Sequence, residues 1–437
     1  MRQESGLLIA PFLQMFKQTN LYIPRLIQDL KDNPACYLLI FTLSLFCTKT
    51  LVLFPFVLVS IIAVYYFARH PGYLTNQKTK NVLVLFLCLW LPMLASLPDA
   101  INYTESIRVT FSYLRFLLFG LFILIAIEPI NRIKMQAIIV YIILFWCFDG
   151  LLQFYLGQDL FGYPYTPPQL MGMFYPKVRM PYILAVLAPI FFEYIRLYCG
   201  KYQWLLLVLI PFFMVLLLGG KRVAWFMMLF SGTFYLVYLI FIIKALSLKR
   251  FAPYAIVILT IMSILILNHT PLKNRVLSTT GIFSGDADVI EAATARRLSL
   301  WQVSVDIFRD NPINGVGPRG YREVFTKYAN VDNFWMQNDR RGTTHPHMML
   351  AEVASETGLF GLVGLLVFYY FLFSRIYYLI RKKKLEIVPW YICAATAFFP
   401  LNSHLAFYGS YWSSFCWWIL ITALAIDYAA TEKIPDH

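Results

Sequence analysis

Lys221 and Arg222 stand together in a short break between two apolar runs, 203–219 and 223–243. A guanidinium stays charged and grips phosphate oxygens through a planar fork, so the pair can hold an anion. Cations at helix ends also serve as anchors whose stems lie along apolar surface, and the pair alone fits both readings. Arg296 and Arg297 fall in a stretch with helical periodicity, where neighbours project about 100° apart. One would then face an apolar core and the other solvent, although a fully solvated face is the plainer alternative. Arg340-Arg341-Gly342-Thr343-Thr344-His345-Pro346-His347 leads straight into the apolar run from Met348. A His-x-His pair invites a metal, yet no Cys, Asp or Glu follows at ligand spacing on the same helix turn, so no metal is expected. An imidazole can take a proton near neutrality, which makes this pair a candidate general base; a capping or hydrogen-bonded structural histidine is the alternative.

Other charged groups have simpler readings. Asp286-Ala287-Asp288 looks like the acidic metal-binding pair of nucleotide-sugar glycosyltransferases, but it sits among turn residues. Glu193 and Arg196 are spaced for a local ion pair. Arg115 and Asp149 lie within apolar runs, where ionisable residues are costly, and pairing between helices would relieve both. The run Arg381-Lys382-Lys383-Lys384 reads as a topology anchor or a lipid-headgroup contact. Tyr155, Tyr163, Tyr165, Phe174, Tyr175, Tyr408 and Tyr411 fall at the same predicted edge as the candidate cations, suited to stacking on sugars or to an interfacial belt.

These residues must be positioned by membrane helices. The 437-residue chain is 59% hydrophobic and only 14% charged, with a mean hydropathy of +0.64, whereas soluble domains carry about 25% charged residues. A soluble globular enzyme is excluded. Continuous apolar runs, not alternating segments of about 10 residues, exclude an outer-membrane barrel, and helices remain as the way to satisfy the backbone in lipid. The expected fold is an all-α polytopic membrane protein with about twelve transmembrane helices, at 35–48, 50–67, 81–98, 109–127, 135–155, 181–195, 203–219, 222–243, 252–268, 347–374, 387–402 and 407–428. The domains follow: a cytoplasmic segment 1–34, helices one to nine over 35–268, a large exported loop 269–346, helices ten to twelve over 347–428, and a cytoplasmic tail 429–437.

Sorting Lys and Arg among alternate short loops sets the orientation. One side collects Arg69, Lys78, Lys80, Arg132, Lys134, Arg196, Lys201, Lys244, Lys249, Arg250 and Arg381 to Lys384 among others; the opposite loops hold only Lys49, Arg108, Lys177, Arg179, Lys221 and Arg222. Both termini are therefore expected in the cytoplasm. The net charge of +14 is then a topology signal, not a nucleic-acid footprint. The cysteines lie in or beside apolar runs and read as small buried hydrophobes. The N-terminus lacks the apolar core and cleavage site of a signal peptide, so no removal is expected.

Within 269–346, Ile290, Ala293, Leu298, Trp301, Val305 and Phe308 predict a helix from Val289 to Arg309, stopped by Asn311-Pro312. Asn314-Gly315-Val316-Gly317-Pro318 is a tight turn, and a second short helix is expected from Tyr321 to Tyr328. Long loops in compact proteins are usually functional. Arginines and a histidine gathered on this face suit a large anionic substrate, because arginine can stabilise a departing diphosphate without a metal.

Leu218-Gly219-Gly220-Lys221-Arg222-Val223-Ala224-Trp225, Arg297-Leu298-Ser299-Leu300-Trp301, Asn311 to Gly317, His345-Pro346-His347 and Glu356-Thr357-Gly358-Leu359-Phe360-Gly361 resemble, in order and spacing, the O-antigen ligase and polymerase superfamily. Pro168 to Arg179 is similar to that family's earlier loop. The resemblance implies a GT-C-type glycosyltransferase fold in the bacterial inner membrane, with one large helical periplasmic loop and an active site facing the periplasm. It implies transfer of a glycan from undecaprenyl diphosphate to an acceptor hydroxyl, with inversion and neither metal nor cofactor. Carried over residue by residue, Arg222 and Arg297 grip the diphosphate and His347 deprotonates the acceptor. Lys221, Arg340 and Arg341 join the diphosphate set; His345, Arg179 and Glu356 are candidate supports. Met348 stands where the family often has Asn, and Lys221 where it often has a small hydroxyl residue. A ligase acting on lipid A-core is the leading expectation, favoured by chain length and one dominant late loop. A polymerase using a second lipid-linked repeat is the runner-up, and a transporter of lipid-linked sugars, which would show repeated halves, is the third reading. Membrane lipids are the remaining expected partner.

Overall fold

The computed structural model describes residues 23–126, 130–199, 203–245, 248–337, 342–402 and 405–432. Arg340 and Arg341 lie outside the described residues, as do residues 1–22 of the predicted N-terminal segment and 433–437 of the predicted tail. Helices follow one another as α1 (Ile23–Asp32), α2 (Pro34–Ser44), α3 (Leu53–Arg69), α4 (Gln77–Ala95), α5 (Tyr103–Ser112), α6 (Leu114–Leu121), α7 (Arg132–Leu156), α8 (Met180–Cys199) and α9 (Leu209–Leu218). The second half continues with α10 (Arg222–Val237), α11 (Leu248–Asn268), α12 (Thr270–Thr280), α13 (Ala287–Ala293), α14 (Leu298–Asp310), α15 (Tyr321–Tyr328), α16 (Met349–Arg381), α17 (Val388–Ala397) and α18 (Ser410–Glu432).

Local chemistry sets the helix starts. The side chains of Asn76, Asn102 and Asn131 accept hydrogen bonds from the backbone N–H of Lys78, Glu105 and Lys134, satisfying first-turn donors that have no intrahelical partner. α7 ends at Gly157 with φ of 81°, the left-handed cap that glycine adopts without strain.

Among the described residues, seven helices are long and apolar enough to cross a membrane, including Arg132–Leu156, Arg222–Ile242 and Met349–Arg381. Ala252–Asn268 passes that test only together with Thr270–Phe283, from which it is bent by 99°. The shorter apolar helices Pro34–Cys47, Leu53–Arg69, Leu206–Leu218 and Leu385–Ala397 occupy the remaining predicted segments. α8 and α18 form the centre, with 83% and 89% of their spans buried, whereas α16, at 22%, lies at the periphery. The protein is an all-helical, multi-pass membrane protein.

Cross-links between distant segments sort the helix ends into two groups. At one end Leu170 N–H donates to Leu218 O (3.1 Å), Ile101 N–H to Val316 O (3.1 Å) and Met349 N–H to Asn402 O (3.2 Å). At the other, Asn81 reaches the Tyr428 hydroxyl at 2.8 Å, Arg375 pairs with Asp427 at 2.6 Å, and Arg196 pairs with Glu193 at 2.7 Å, the ion pair that the spacing predicts. The first end also carries a small separate core of Leu300, Val303, Ile307, Val316, Tyr321, Val324 and Phe325, built by α14 and α15.

α16 is interrupted at Gly358, where φ is 59° and ψ is −150°. The freed N–H groups of Leu359 and Phe360 donate to Pro312 O (2.8 Å) and Ile313 O (3.1 Å), while Val316 and Gly317 donate to Ser355 O (3.0 Å) and Glu356 O (2.9 Å). The predicted turn at 314–318 thus plugs a broken helix. A Cβ at Gly358 would lie 2.5 Å from the Ile313 carbonyl carbon, so glycine is required there.

Two expectations need correction, and one segment gains detail. The helix predicted from Val289 to Arg309 is two helices, α13 and α14, separated at Ala295 and Arg296, which adopt left-handed φ of 59° and 58°; Arg296 N–H turns back to Glu291 O at 2.7 Å. Arg296 and Arg297 therefore diverge because the chain reverses, not because of helical rotation. The segment after 268 opens with a helix whose bounds the sequence reading did not give, the bent-off α12, begun by His269, whose ring nitrogen accepts from Leu272 N–H at 3.2 Å, with Pro271 in its first turn. Arg115 and Asp149 do not pair. Arg115 donates to Ser112 O (2.8 Å) and lies over the Phe116 ring at 4.5 Å, while Asp149 accepts from Leu160 N–H (3.1 Å) and Met173 N–H (2.7 Å).

Candidate functional site

Between the α9–α10 turn and the α12–α14 segment lies a cavity of about 620 Å³. Lys221, Arg222, Arg275 and Arg297 line it, together with Tyr182, Trp301, Met348 and an apolar wall that includes Val223, Phe226 and Ile282. Among the described residues, no Asp or Glu lines it.

Each cation arrives by a distinct local device. Gly220 adopts φ of +62°, a left-handed geometry open to glycine, and this turn sends Lys221 and Arg222 back along the start of α10. Lys221 is the N-cap of α10. Burial, then the proximity of Arg275, Arg297 and Lys177, pushes its ammonium down to about 8. Arg222 Nη1 donates to Ala293 O at 2.5 Å, capping the end of α13, and Nη2 donates to the Ser278 hydroxyl on α12. Arg297 is the N-cap residue of α14, and desolvation pushes its guanidinium downward. Arg296 turns away and stacks over Phe334 at 4.2 Å.

Two lining residues carry buried donors without a partner among the described residues, Arg222 Nε and Trp301 Nε1. Orphaned buried donors call for an explanation. A ligand rich in acceptor oxygens supplies one.

His347 lies next in the chain to Met348, which lines the cavity. Its ring centroid is 4.0 Å from that of His345 and 6.4 Å from that of Trp335, and Trp335 Nε1 donates to Arg296 O at 2.7 Å. This chain of contacts sets the imidazole beside the break that delivers Arg297. His347 has φ of 54°, a left-handed conformation that costs a non-glycine residue of order 1–3 kcal/mol and persists only when its surroundings impose it. They do: Met349 and Leu350 N–H donate to Asn402 O (3.2 Å) and Pro400 O (2.9 Å).

The remaining candidates are placed elsewhere. Arg179 is buried, its guanidinium 3.9 Å above the Tyr411 ring, and is not among the cavity-lining residues. Glu356 is buried, its carboxylate accepting the N–H of Arg319 (2.5 Å) and Tyr321 (3.4 Å), which fixes the plug between α14 and α15. Asp286 caps α13 by accepting the N–H of Asp288 and Val289, so the acidic pair has a structural explanation. Of the aromatic candidates, Tyr163 and Tyr175 stack at 5.2 Å, whereas Phe174 and Tyr408 are buried. Sequence reasoning missed Arg275. Part of its signal was present in His269-Thr270-Pro271, a helix start that would have placed Arg275 on a new helix after Asn268, though not the direction that brings it to the α9–α10 turn.

The fold and the cavity define a multi-pass helical membrane protein whose conspicuous site is cationic and lies at one end of the bundle. The segment that builds the site is similar to a known family: residues 206–366 match the family model described as O-antigen ligase. That segment contains Lys221, Arg222, Arg275, Arg297, His345, His347 and Glu356. No curated protein matches the chain. The match supports an enzyme of the O-antigen ligase or polymerase type acting on lipid-linked substrates.

Proposed function

We propose that the protein is an O-antigen ligase of GT-C-type architecture in the bacterial inner membrane. It transfers a glycan from undecaprenyl diphosphate to a sugar hydroxyl of lipid A-core at the periplasmic face, with inversion and without a metal. The observation that carries this reading is the convergence of Lys221, Arg222, Arg275 and Arg297 on one cavity that no carboxylate lines among the described residues, beside a histidine held in a strained backbone.

In this reading the cations hold the donor diphosphate and the apolar wall of Val223, Phe226 and Ile282 accommodates the first isoprene units. His347 takes the proton of the acceptor hydroxyl as its oxygen attacks the anomeric carbon from the face opposite the diphosphate. The new C–O bond forms as the glycosyl–phosphate bond breaks, and undecaprenyl diphosphate leaves with the bonding electrons. Fixed guanidiniums stabilise that developing charge more than they stabilise the bound donor. Arg340 and Arg341, close in sequence to His347, complete the proposed diphosphate set. His345 holds the neighbouring ring in place, Glu356 anchors the plug, and Arg179 supports through Tyr411.

The test is transfer by purified protein, given undecaprenyl-diphosphate glycan and lipid A-core, with His347→Ala and Arg297→Ala compared with wild type. Both variants are expected to lose transfer; full activity in both overturns the reading. Product formed only with a second lipid-linked glycan as acceptor would identify a polymerase. A transporter would move the lipid without forming product.

A further inference from the structure

α12 leaves α11 at 99° and so folds back over the α9–α10 turn instead of continuing outward. It brings Arg275, which lines the same cavity as Lys221, Arg222 and Arg297. Arg275 Nη1 donates to the carbonyl of Gly220, the residue whose left-handed turn aims Lys221 and Arg222. A guanidinium has five N–H donors in one plane, so this bond leaves most of the fork for another acceptor. Arg222 returns the contact from the opposite side, reaching Ala293 O and Ser278 on α13 and α12. The two helices are thus laced to the turn by arginines bonded to neutral oxygens. A charged phosphate oxygen is the stronger partner for each.

Resting on the diphosphate reading above, we propose that Arg275 is a further ligand of the donor diphosphate, delivered to the cavity by the bent-off helix α12. The crowding of positive charge supports this. Lys221 is pressed towards neutrality by burial and by Arg275, Arg297 and Lys177, a mutual repulsion that a multiply charged anion relieves. Because arginine keeps its charge across the working pH range, Arg275 maintains the site's attraction where Lys221 begins to lose its proton. Arg275 also couples donor to cap: when its fork engages the diphosphate while still holding Gly220, α12 is drawn onto the occupied site.

The experiment is equilibrium binding of inorganic pyrophosphate and of undecaprenyl diphosphate to the purified full-length protein in nanodiscs, as a function of pH, for wild type, Arg275→Gln and Arg275→Lys. Arg275→Gln should weaken both probes by about 10- to 100-fold, the range for loss of one charge-assisted contact. It should also move the alkaline fall in affinity upward from near pH 8, since Lys221 loses a repelling neighbour. Arg275→Lys should lose less affinity and keep that midpoint. If wild type binds and Arg275→Gln binds equally well, Arg275 is no ligand, while the diphosphate reading stands. Weakened binding in Arg275→Gln with an unmoved midpoint, not restored in Arg275→Lys, assigns Arg275 to holding the Gly220 turn and overturns the proposal. Should Arg275→Gln fail to fold, Arg275→Lys decides, wild-type affinity overturning the proposal and weaker affinity supporting it. If wild type binds neither probe, it is the diphosphate reading that fails.

Discussion

The cavity and the far end of the helical bundle treat their cations differently. At the end away from the cavity, charges meet charges: Arg375 is held by Asp427 at 2.6 and 2.8 Å, Arg196 by Glu193 at 2.7 Å, and Lys134 by Asp29. At the cavity, Arg222 and Arg275 are held by carbonyls and a hydroxyl, and among the described residues no carboxylate lines the space around them. Paired charges complete a structure, because each partner offsets the other's desolvation. Cations gathered without counter-charge repel one another, and the folded protein tolerates this where a ligand supplies the missing negative charge. The difference separates helix anchors from the proposed binding site more sharply than the positive-inside trend does.

The largest expected effect lies at the cavity. His347→Ala should lower transfer by about 10²- to 10⁴-fold, the usual contribution of a general base, while thermal unfolding of the detergent-solubilised protein stays close to wild type. A variant that loses transfer and melts far earlier would make His347 structural. The mirror experiment is Asp427→Ala, which strands Arg375 near the opposite end and should cost ~3–5 kcal/mol of stability, with transfer per folded molecule unchanged. Equal and opposite outcomes for these two substitutions would confirm the division of labour; similar outcomes would erase it.

How far that division was legible in the sequence depends on which physical signal encodes each part. The twelve apolar segments were readable because burial in lipid writes itself as hydropathy, and each holds an apolar helix. Tyr321–Tyr328 and the stop at Asn311-Pro312 were readable because local periodicity and a helix breaker mark them. The reversal at Ala295 and Arg296 was not, since neither residue announces a left-handed backbone and the turn is imposed by α13 packing against its neighbours. The break at Gly358 was equally silent: a glycine within an apolar run says nothing of the loop that plugs it. The diphosphate candidates Lys221, Arg222 and Arg297 were found as isolated cations, but only the 99° bend after Asn268 brings Arg275 to join them.

Smaller effects sharpen the same contrast. Gly358→Ala should destabilise the plug by about 1–3 kcal/mol, because its Cβ would meet the Ile313 backbone at 2.5 Å; limited proteolysis within 311–337 would show it, and an unchanged cleavage rate would mean that the plug tolerates repacking. The smallest effect is a pH dependence. Lys221, pushed down to about 8 by burial and neighbouring cations, is charged below that value and neutral above it. Diphosphate favours the ammonium, so affinity should be constant below about pH 8 and fall by at most tenfold per pH unit above it. Lys221→Arg should flatten that fall; a slope unaltered by the substitution would assign it to another group.

The central claim, that the cavity's cations exist for a diphosphate and those elsewhere for the fold, is tested most directly by binding of undecaprenyl diphosphate to the full-length protein in nanodiscs. Wild type is compared with an Arg222→Gln/Arg297→Gln double variant and with Arg381→Gln, taken from the basic run at the far end of α16. The account predicts a loss of at least about 100-fold in the double variant and wild-type affinity in Arg381→Gln; equal affinity in all three would contradict it.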